Sequence, residues 1–234
     1  MKIYWTVDSI ADLLQRYPSA PSLLTAKEAE TYEKLTVPKR QCEWLAGRIA
    51  IKELARKIHP TLNYLEAEVR RLMNGKPWLA MGGEKRGEIS ISHSGRYILA
   101  AYTENDRPIG VDLEKIEPRS KEMIETFFTA KEANALSKVP EPLRQFAANL
   151  IWSAKEAILK MEGCGLSVDT RSVEVTLPTL DELVSCRGAV TATSPKDHHE
   201  YSGEFNYFDG YISTIFAPAP VIESEQFLIR PVAA

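Results

Sequence analysis

The sequence predicts an α/β (α+β) fold built as a pseudo-twofold pair of similar subdomains in one chain, and three observations predict it. First, Thr25-Ala-Lys-Glu-Ala29 returns as Thr129-Ala-Lys-Glu-Ala133, an offset of 104 residues. The same offset pairs Lys34 with Lys138, Pro38 with Pro142, Arg40-Gln41 with Arg144-Gln145, and Val7-Asp8 with Val111-Asp112. Second, a stretch of helical apolar periodicity follows each copy, over 39–58 and 144–162. Third, strand-like alternation shows at 88–94, 97–102, 109–114 and 172–177. A fixed offset sets the architecture before local signals do, and only two copies exclude a solenoid.

Each element has a local reason. Thr25 and Thr129 are each followed three residues later by Glu, the capping box that satisfies orphan amides at a helix start. The second long helix ends at Gly163 and Gly165, residues free to take the left-handed cap conformation. Residues 103–108, Thr-Glu-Asn-Asp-Arg-Pro, are polar and turn-rich, so the subdomain boundary falls there, giving 1–107 and 108–234. Residues 205–216 suggest one or two more strands, and the last dozen residues look like a tail.

The composition excludes several classes of function. The chain has 234 residues, 44% hydrophobic and 26% charged, with a formal net charge of −3. That balance gives no general attraction to nucleic acid or an anionic membrane. No apolar run approaches the roughly 20 residues that span a bilayer, and the first residues do not read as a signal peptide. Cys42, Cys164 and Cys186 are odd in number and far apart, against a zinc site or disulfide framework and for a reducing cytoplasm. His198-His199-Glu200 reads as solvated loop, not as a metal site.

The chemistry concentrates in two segments of the second half. In Ile109-Gly-Val-Asp-Leu-Glu114, side chains alternate, so Asp112 and Glu114 share a face with Gly110, whose missing side chain leaves room for a ligand. Two neighbouring carboxylates repel, and a divalent cation removes the conflict. For an isolated Asp-x-Glu, a solvated strand face is the default. In 151–160, Trp152, Glu156 and Lys160 recur at i, i+4 and i+8 on one helix face. Glu156 offers a third oxygen ligand; the bland alternative is an ordinary Glu–Lys surface pair. At the 104-residue offset Lys52 stands opposite Glu156, so the first half lacks that acid. The first half instead supplies a turn at 74–77 presenting Lys76. It also supplies a strand, Ile89-Ser-Ile-Ser-His-Ser94, whose His93 shares parity with Ile89 and Ile91 as a core histidine would. Arg40, Arg48 and Lys52 lie on or near the first long helix, where a solvated face is the default.

The ordered set Gly75-Lys-Pro77, Ser90-Ile-Ser-His-Ser94, Gly110-Val-Asp-Leu-Glu114 and Trp152-Ser-Ala-Lys-Glu156-x-x-x-Lys160 resembles the 4′-phosphopantetheinyl transferase family, closest to its monomeric, surfactin-synthetase-activating type. The resemblance spans roughly 40–165 and implies a two-halved fold. It implies that the 4′-phosphopantetheine of coenzyme A is transferred to a serine of an apo acyl or peptidyl carrier protein. It implies Mg2+ held by Asp112, Glu114 and Glu156, phosphate contacts from His93 and Lys160, and nucleotide contacts from Arg40, Arg48, Lys76 and Ser94. Glu156, Lys160 and His93 are then the catalytic set, with Glu156 as base. The first subdomain contacts the nucleotide and the second carries the magnesium acids. Met123, Phe127 and Phe128 are candidate apolar anchors for the carrier, with packing in the subdomain core an equal alternative for the two phenylalanines. The partners expected are coenzyme A and carrier proteins, with no nucleic acid, no membrane and a monomeric chain. A magnesium-dependent phosphohydrolase and a non-catalytic carrier-binding paralogue are the rival readings.

Overall fold

A computed structural model describes residues 2–196, 198–218 and 223–226. Its two compact units, Met1–Arg107 with a later strand and Pro108–Val221, follow one plan. In the first, β1 (Lys2–Ser9) leads through α1 (Ile10–Arg16) and α2 (Ala26–Glu33) into the long α3 (Pro38–Ile58). Then come β2 (Ala67–Arg71), β3 (Pro77–Met81), β4 (Glu84–Ser94) and β5 (Tyr97–Thr103). In the second, β6 (Gly110–Lys115) leads through α4 (Lys121–Phe127) and α5 (Ala130–Lys138) into the long α6 (Glu141–Glu162). After it come β7 (Val175–Thr176), α7 (Leu180–Ser185), β8 (Arg187–Thr193), β9 (Glu200–Phe208) and β10 (Tyr211–Phe216).

Strand order is β1-β5-β4-β3-β2 in one sheet and β6-β10-β9-β8-β7 in the other. The connectivity is the same, and every one of these pairings is antiparallel. A last strand, β11 (Glu223–Gln226), pairs in parallel with the outer edge of β1. These four residues were expected in a tail; instead they complete the first sheet, while the rest of that tail lies outside the described residues. The strand expected over 172–177 shrinks to Val175–Thr176, because Thr170–Ser172 forms a helical turn.

Each long helix covers its own sheet. Leu45, Ala46, Ile49 and Ala50 of α3 join Ile89, Ile98 and Ala100 in one core. Leu150, Ile151, Ala154 and Ile158 of α6 join Val190, Phe205, Ile212 and Phe216 in the other. Burying each such aliphatic or aromatic side chain contributes about 1.5–3 kcal/mol. The second long helix ends as expected, with Gly163 at φ 69° as a left-handed cap. Among the described residues no helix is long and apolar enough to cross a membrane.

The capping boxes do more than start helices. Glu28 Oε2 accepts from Thr25 N at 3.0 Å and from Lys52 Nζ at 2.6 Å, and its Oε1 accepts from Val69 N at 2.9 Å. Glu132 repeats every contact: Oε2 with Thr129 N at 2.7 Å and Lys155 Nζ at 2.9 Å, Oε1 with Val175 N at 2.7 Å. Lys52 Nζ also donates to the carbonyls of Leu23 and Tyr64, and Lys155 Nζ to those of Thr170 and Val173. Both lysine side chains are fully buried. Desolvation pulls their pKa values down, and the partner carboxylates oppose it. One buried ion pair thus ties helix start, long helix and far strand together in each unit.

This pair corrects the alignment of the repeat. The structural counterpart of Lys52 is Lys155, so the offset of 104 becomes 103 within the long helices. The slip falls in the connections, since α3 starts at its Pro38 while α6 starts one residue before Pro142. Glu53 and Lys57 are then the counterparts of Glu156 and Lys160, and the first half does not lack that acid. Its acids are engaged otherwise: Asp8, opposite Asp112 in the repeat, pairs with Arg16, and Glu53 accepts from the Tyr64 hydroxyl. Ile10 stands where the second half has Glu114.

Candidate active site

Gly110 positions the acids, and not by leaving room for a ligand. A Cβ at Gly110 would lie 1.9 Å from the carbonyl oxygen of Ala157 and 2.7 Å from Met161 N. The space a side chain would need is filled by the backbone of α6, which therefore lies directly on β6. Opposite, Asp112 and Glu114 register with Thr214 and Ile212 of β10. Thr214 fastens the helix to the sheet, since its Oγ1 donates to Ser153 O at 3.1 Å and lies 3.0 Å from Ser153 Oγ.

With α6 so placed, its Trp152–Glu156–Lys160 face meets the acids of β6. Trp152 Nε1 donates to Glu114 Oε1 at 3.0 Å, and Lys160 Nζ donates to Asp112 Oδ1 at 2.7 Å. Asp112 is 2% exposed, so this ion pair is no ordinary surface pair. Glu156 sits between them: burial first, then the charge of Asp112, raise its pKa from 4.5 to about 7, against the opposing effect of Lys160. Its Oε1 is buried with no hydrogen-bond partner among the described residues. Glu114 is also raised, by burial and then by Asp112.

These residues fit a divalent cation. A buried carboxylate oxygen without a partner, on a Glu156 whose pKa is raised by burial and by the neighbouring charges of Asp112 and Glu114, belongs to a donor set that a hard cation stabilises. The set is not pre-assembled, because no group of three His, Cys, Asp or Glu among the described residues is arranged to hold a metal. Lys160 and the donors to Glu114 occupy part of the same oxygens. Of His198, His199 and Glu200, expected in a loop, Glu200 opens β9 and His199 rests on the Tyr201 ring at 4.7 Å.

Sequence patterns did not single out two residues beside this cluster. Arg119 Nη2 donates to Glu114 Oε2 at 3.0 Å, and its Nε donates to Asn149 Oδ1 at 2.8 Å. Fully buried Asn149 is the one visible signal, an amide inside the apolar run Phe146–Ala154 of α6. The carrier anchors read from sequence are corrected in part: Phe128 is 3% exposed and belongs to the core of the second unit. Its backbone N–H closes α4 by donating to Ile124 O at 3.0 Å. Phe127 packs edge-on against Trp152 at 5.4 Å, and Met123 is half-buried against the same core.

In the first unit the predicted contacts fall into separate places. Arg40 and Arg48 line one cavity of about 570 Å³ with Lys27, Arg70 and Arg71, between Trp44 and Trp78. Arg48 is not on a solvated face: it is 6% exposed, its guanidinium 3.9 Å from the Trp44 ring centroid. Burial and then Arg71 push its pKa down to about 10. Lys76 Nζ lies 3.2 Å from Glu88 Oε2. His93 is not a core histidine, since its side chain is 49% exposed and its Nδ1 lies 3.7 Å from Glu43 Oε1. The buried residues of that strand end are Ser90 and Ser92, and Ser94 at the turn is half-buried.

Comparison with known proteins bears on the same residues. The family model of the 4′-phosphopantetheinyl transferase superfamily matches residues 108–214, a span that holds the whole acid cluster. The chain is 33% identical over 133 residues to 4′-phosphopantetheinyl transferase Sfp of Bacillus subtilis (strain 168), covering 56% of this chain and 55% of that protein. It spans about half the length, or less, of the Bacillus subtilis relatives it matches. A crystal structure of a holo-(acyl-carrier-protein) synthase from Bacillus anthracis str. Ames, in complex with CoA (3′,5′-ADP), is similar at 27% identity. It covers 43% of this chain and 91% of its own, with a TM-score of 0.38. The holo-[acyl-carrier-protein] synthase of Bacillus pumilus (strain SAFR-032) is 32% identical over 102 residues, 40% of this chain and 84% of that one. With most of that synthase matched and the acid-bearing unit recognised as a whole, the chain belongs to the 4′-phosphopantetheinyl transferase superfamily.

Proposed function

We propose that this chain transfers the 4′-phosphopantetheine group of coenzyme A to a serine of an apo carrier protein, releasing 3′,5′-ADP. One observation carries the reading: Asp112, Glu114 and Glu156 are gathered on one helix–strand contact, with Lys160 beside them and a buried Glu156 oxygen unpartnered. Family membership and the names of the relatives support the substrates.

In this reading Asp112, Glu114 and Glu156 hold magnesium, which when bound supplies charge neutralisation at the pyrophosphate oxygens. The chain's own groups do the rest. Lys160 and His93 contribute positive charge or donors to phosphate oxygens, and Arg40, Arg48, Lys76 and Ser94 hold the nucleotide. The cationic cavity of Arg40 and Arg48 supports that role for those two residues. The carrier serine Oγ attacks the phosphorus that bears pantetheine, forming the new O–P bond. The bond from that phosphorus to the 3′,5′-ADP oxygen breaks, and the serine proton passes to Glu156, directly or through water. A base whose pKa lies near 7 is matched to that task.

We also place the protein in the cytoplasm, supported by three free cysteines, and take it to act as a monomer, supported by the two copies of the unit in one chain. Sedimentation showing a stable oligomer would remove the last point. The deciding experiment incubates an apo carrier protein with coenzyme A and magnesium and reads the intact mass of the carrier. Gain of one phosphopantetheine is the expected result. Release of nucleotide without any change in the carrier would establish a phosphohydrolase, and tight carrier binding without either would establish a non-catalytic paralogue.

A further inference from the structure

We infer that Arg119 is a positioning residue for Glu114, and that buried Asn149 of α6 is what holds Arg119 in place. The inference rests on the reading of Asp112, Glu114 and Glu156 as metal ligands.

β6 is an edge strand of its sheet, and Glu114 lies near its end, half-buried at 23% exposure. A glutamate there has three rotatable bonds and nothing in its own strand to fix them. The structure fixes one oxygen from α6 and the other from the connection after β6. Trp152 Nε1 holds Oε1 directly, and Arg119 Nη2 holds Oε2. Arg119 itself comes from the connection after β6, which is anchored by Asn149. The Asn149 Nδ2 donates to Glu117 O and to Gln145 O, each at 2.8 Å, so its Oδ1 must face the Arg119 Nε. The guanidinium also lies 5.9 Å from the Trp152 ring centroid.

The arrangement needs an arginine. Its planar fork spans Glu114 and Asn149 at once, whereas a lysine ammonium reaches only one with comparable geometry. An ordinary surface ion pair contributes little to stability and orders little. Here the Arg119 side chain is 18% exposed and its second anchor is fully buried, so the carboxylate is oriented and not merely neutralised. A carboxylate accepts about four hydrogen bonds or ligand contacts in all. Two single donors therefore leave acceptor capacity on each oxygen for a cation. Partners of this kind, bonded to a ligating carboxylate, typically change metal affinity by about 10–100-fold.

Asn149→Leu tests orientation alone, because it leaves every charge in place. Arg119→Lys is the second variant, keeping the charge and losing the fork. The probe is Mn2+, titrated into the whole protein with and without coenzyme A and followed by water-proton relaxation; Asp112→Ala serves as control. We expect Asn149→Leu and Arg119→Lys to weaken Mn2+ binding about tenfold or more. In turnover, the magnesium needed for half-maximal rate should rise while the rate at saturating magnesium stays within a few-fold of wild type. If Asp112→Ala abolishes Mn2+ binding while both variants bind as the wild type does, the positioning role is overturned. If Asp112→Ala itself leaves Mn2+ binding unchanged, the metal reading fails first and this inference falls with it. Should Asn149→Leu fail to fold by circular dichroism, Arg119→Lys, at a half-buried position, decides alone.

Discussion

Lys155→Met in the second unit, and Lys52→Met in the first, should each destabilise the unit that carries it and spare the other. The substitution keeps the unbranched chain and removes the charge. Glu132 then keeps its two backbone donors, Thr129 N and Val175 N, but loses its only buried cation, while the carbonyls of Thr170 and Val173 lose a donor. Breaking a buried ion pair from one side costs about 3–5 kcal/mol, because the remaining charge stays desolvated. A unit of this size is stable by roughly 5–15 kcal/mol, so the loss is a large fraction of the whole. At about 4–8 °C per kcal/mol for a small domain, the transition of that unit should fall by on the order of 20 °C. Thermal unfolding followed by tryptophan emission separates the two cases. Trp152 is the only tryptophan of Pro108–Val221, and Trp5, Trp44 and Trp78 belong to the first unit. Adding Glu132→Gln to Lys155→Met should recover part of the loss, since a neutral amide still accepts from one backbone donor. If either lysine variant melts within about 3 °C of wild type, or if both variants shift both transitions equally, the keystone role is wrong.

Three further outcomes follow from the site. Gly110→Ala should destabilise the second unit by at least the 1–3 kcal/mol of an overpacked core, because its Cβ would meet backbone and not a yielding side chain, as urea unfolding would show. Asp112→Ala should abolish transfer and the magnesium dependence of coenzyme A binding; calorimetry finding that dependence intact in a folded variant refutes its role. Glu156, raised from 4.5 to about 7, binds protons more tightly folded than unfolded, so metal-free protein should lose stability as pH rises from about 4.5 to about 7. At about 1.4 kcal/mol per pH unit the loss reaches up to about 3 kcal/mol. Glu156→Gln should flatten that slope and lower turnover by roughly 10²–10⁴-fold while weakening coenzyme A binding far less. An unchanged slope in the variant would remove the first claim, and near-normal turnover the second.

Much of this was legible in the sequence where the signal was local. The capping boxes, the glycine cap of α6 and the shared face of Asp112 and Glu114 depend on residues within a few positions of one another. What was not legible depends on contacts between distant segments. The fixed offset hid a one-residue slip, because a turn between two helices absorbs a residue without disturbing either period. Only the equivalent glutamate partners of Lys52 and Lys155, Glu28 and Glu132, reveal the true register. Gly110 read as open space because nothing in a strand says that a helix backbone will lie against it. Arg48 read as solvated because its burial comes from Trp44 one turn away and from Arg71 and Val69 on another element. Arg119 left no pattern at all, since its partners lie 5 and 30 residues away on different elements.

The parallel strand β11 gives the chain an order of assembly. Its residues, 223–226, emerge from the ribosome only after the entire second unit has been made. At about 5–20 residues per second, β1 waits on the order of ten seconds with its outer edge unpaired. That edge, Lys-Ile-Tyr-Trp-Thr-Val-Asp-Ser, is rich in residues that pair readily with foreign strands. Fusions or truncations that remove residues 223–226 should prolong that interval indefinitely, and they should lower soluble yield without touching a single residue of the acid cluster.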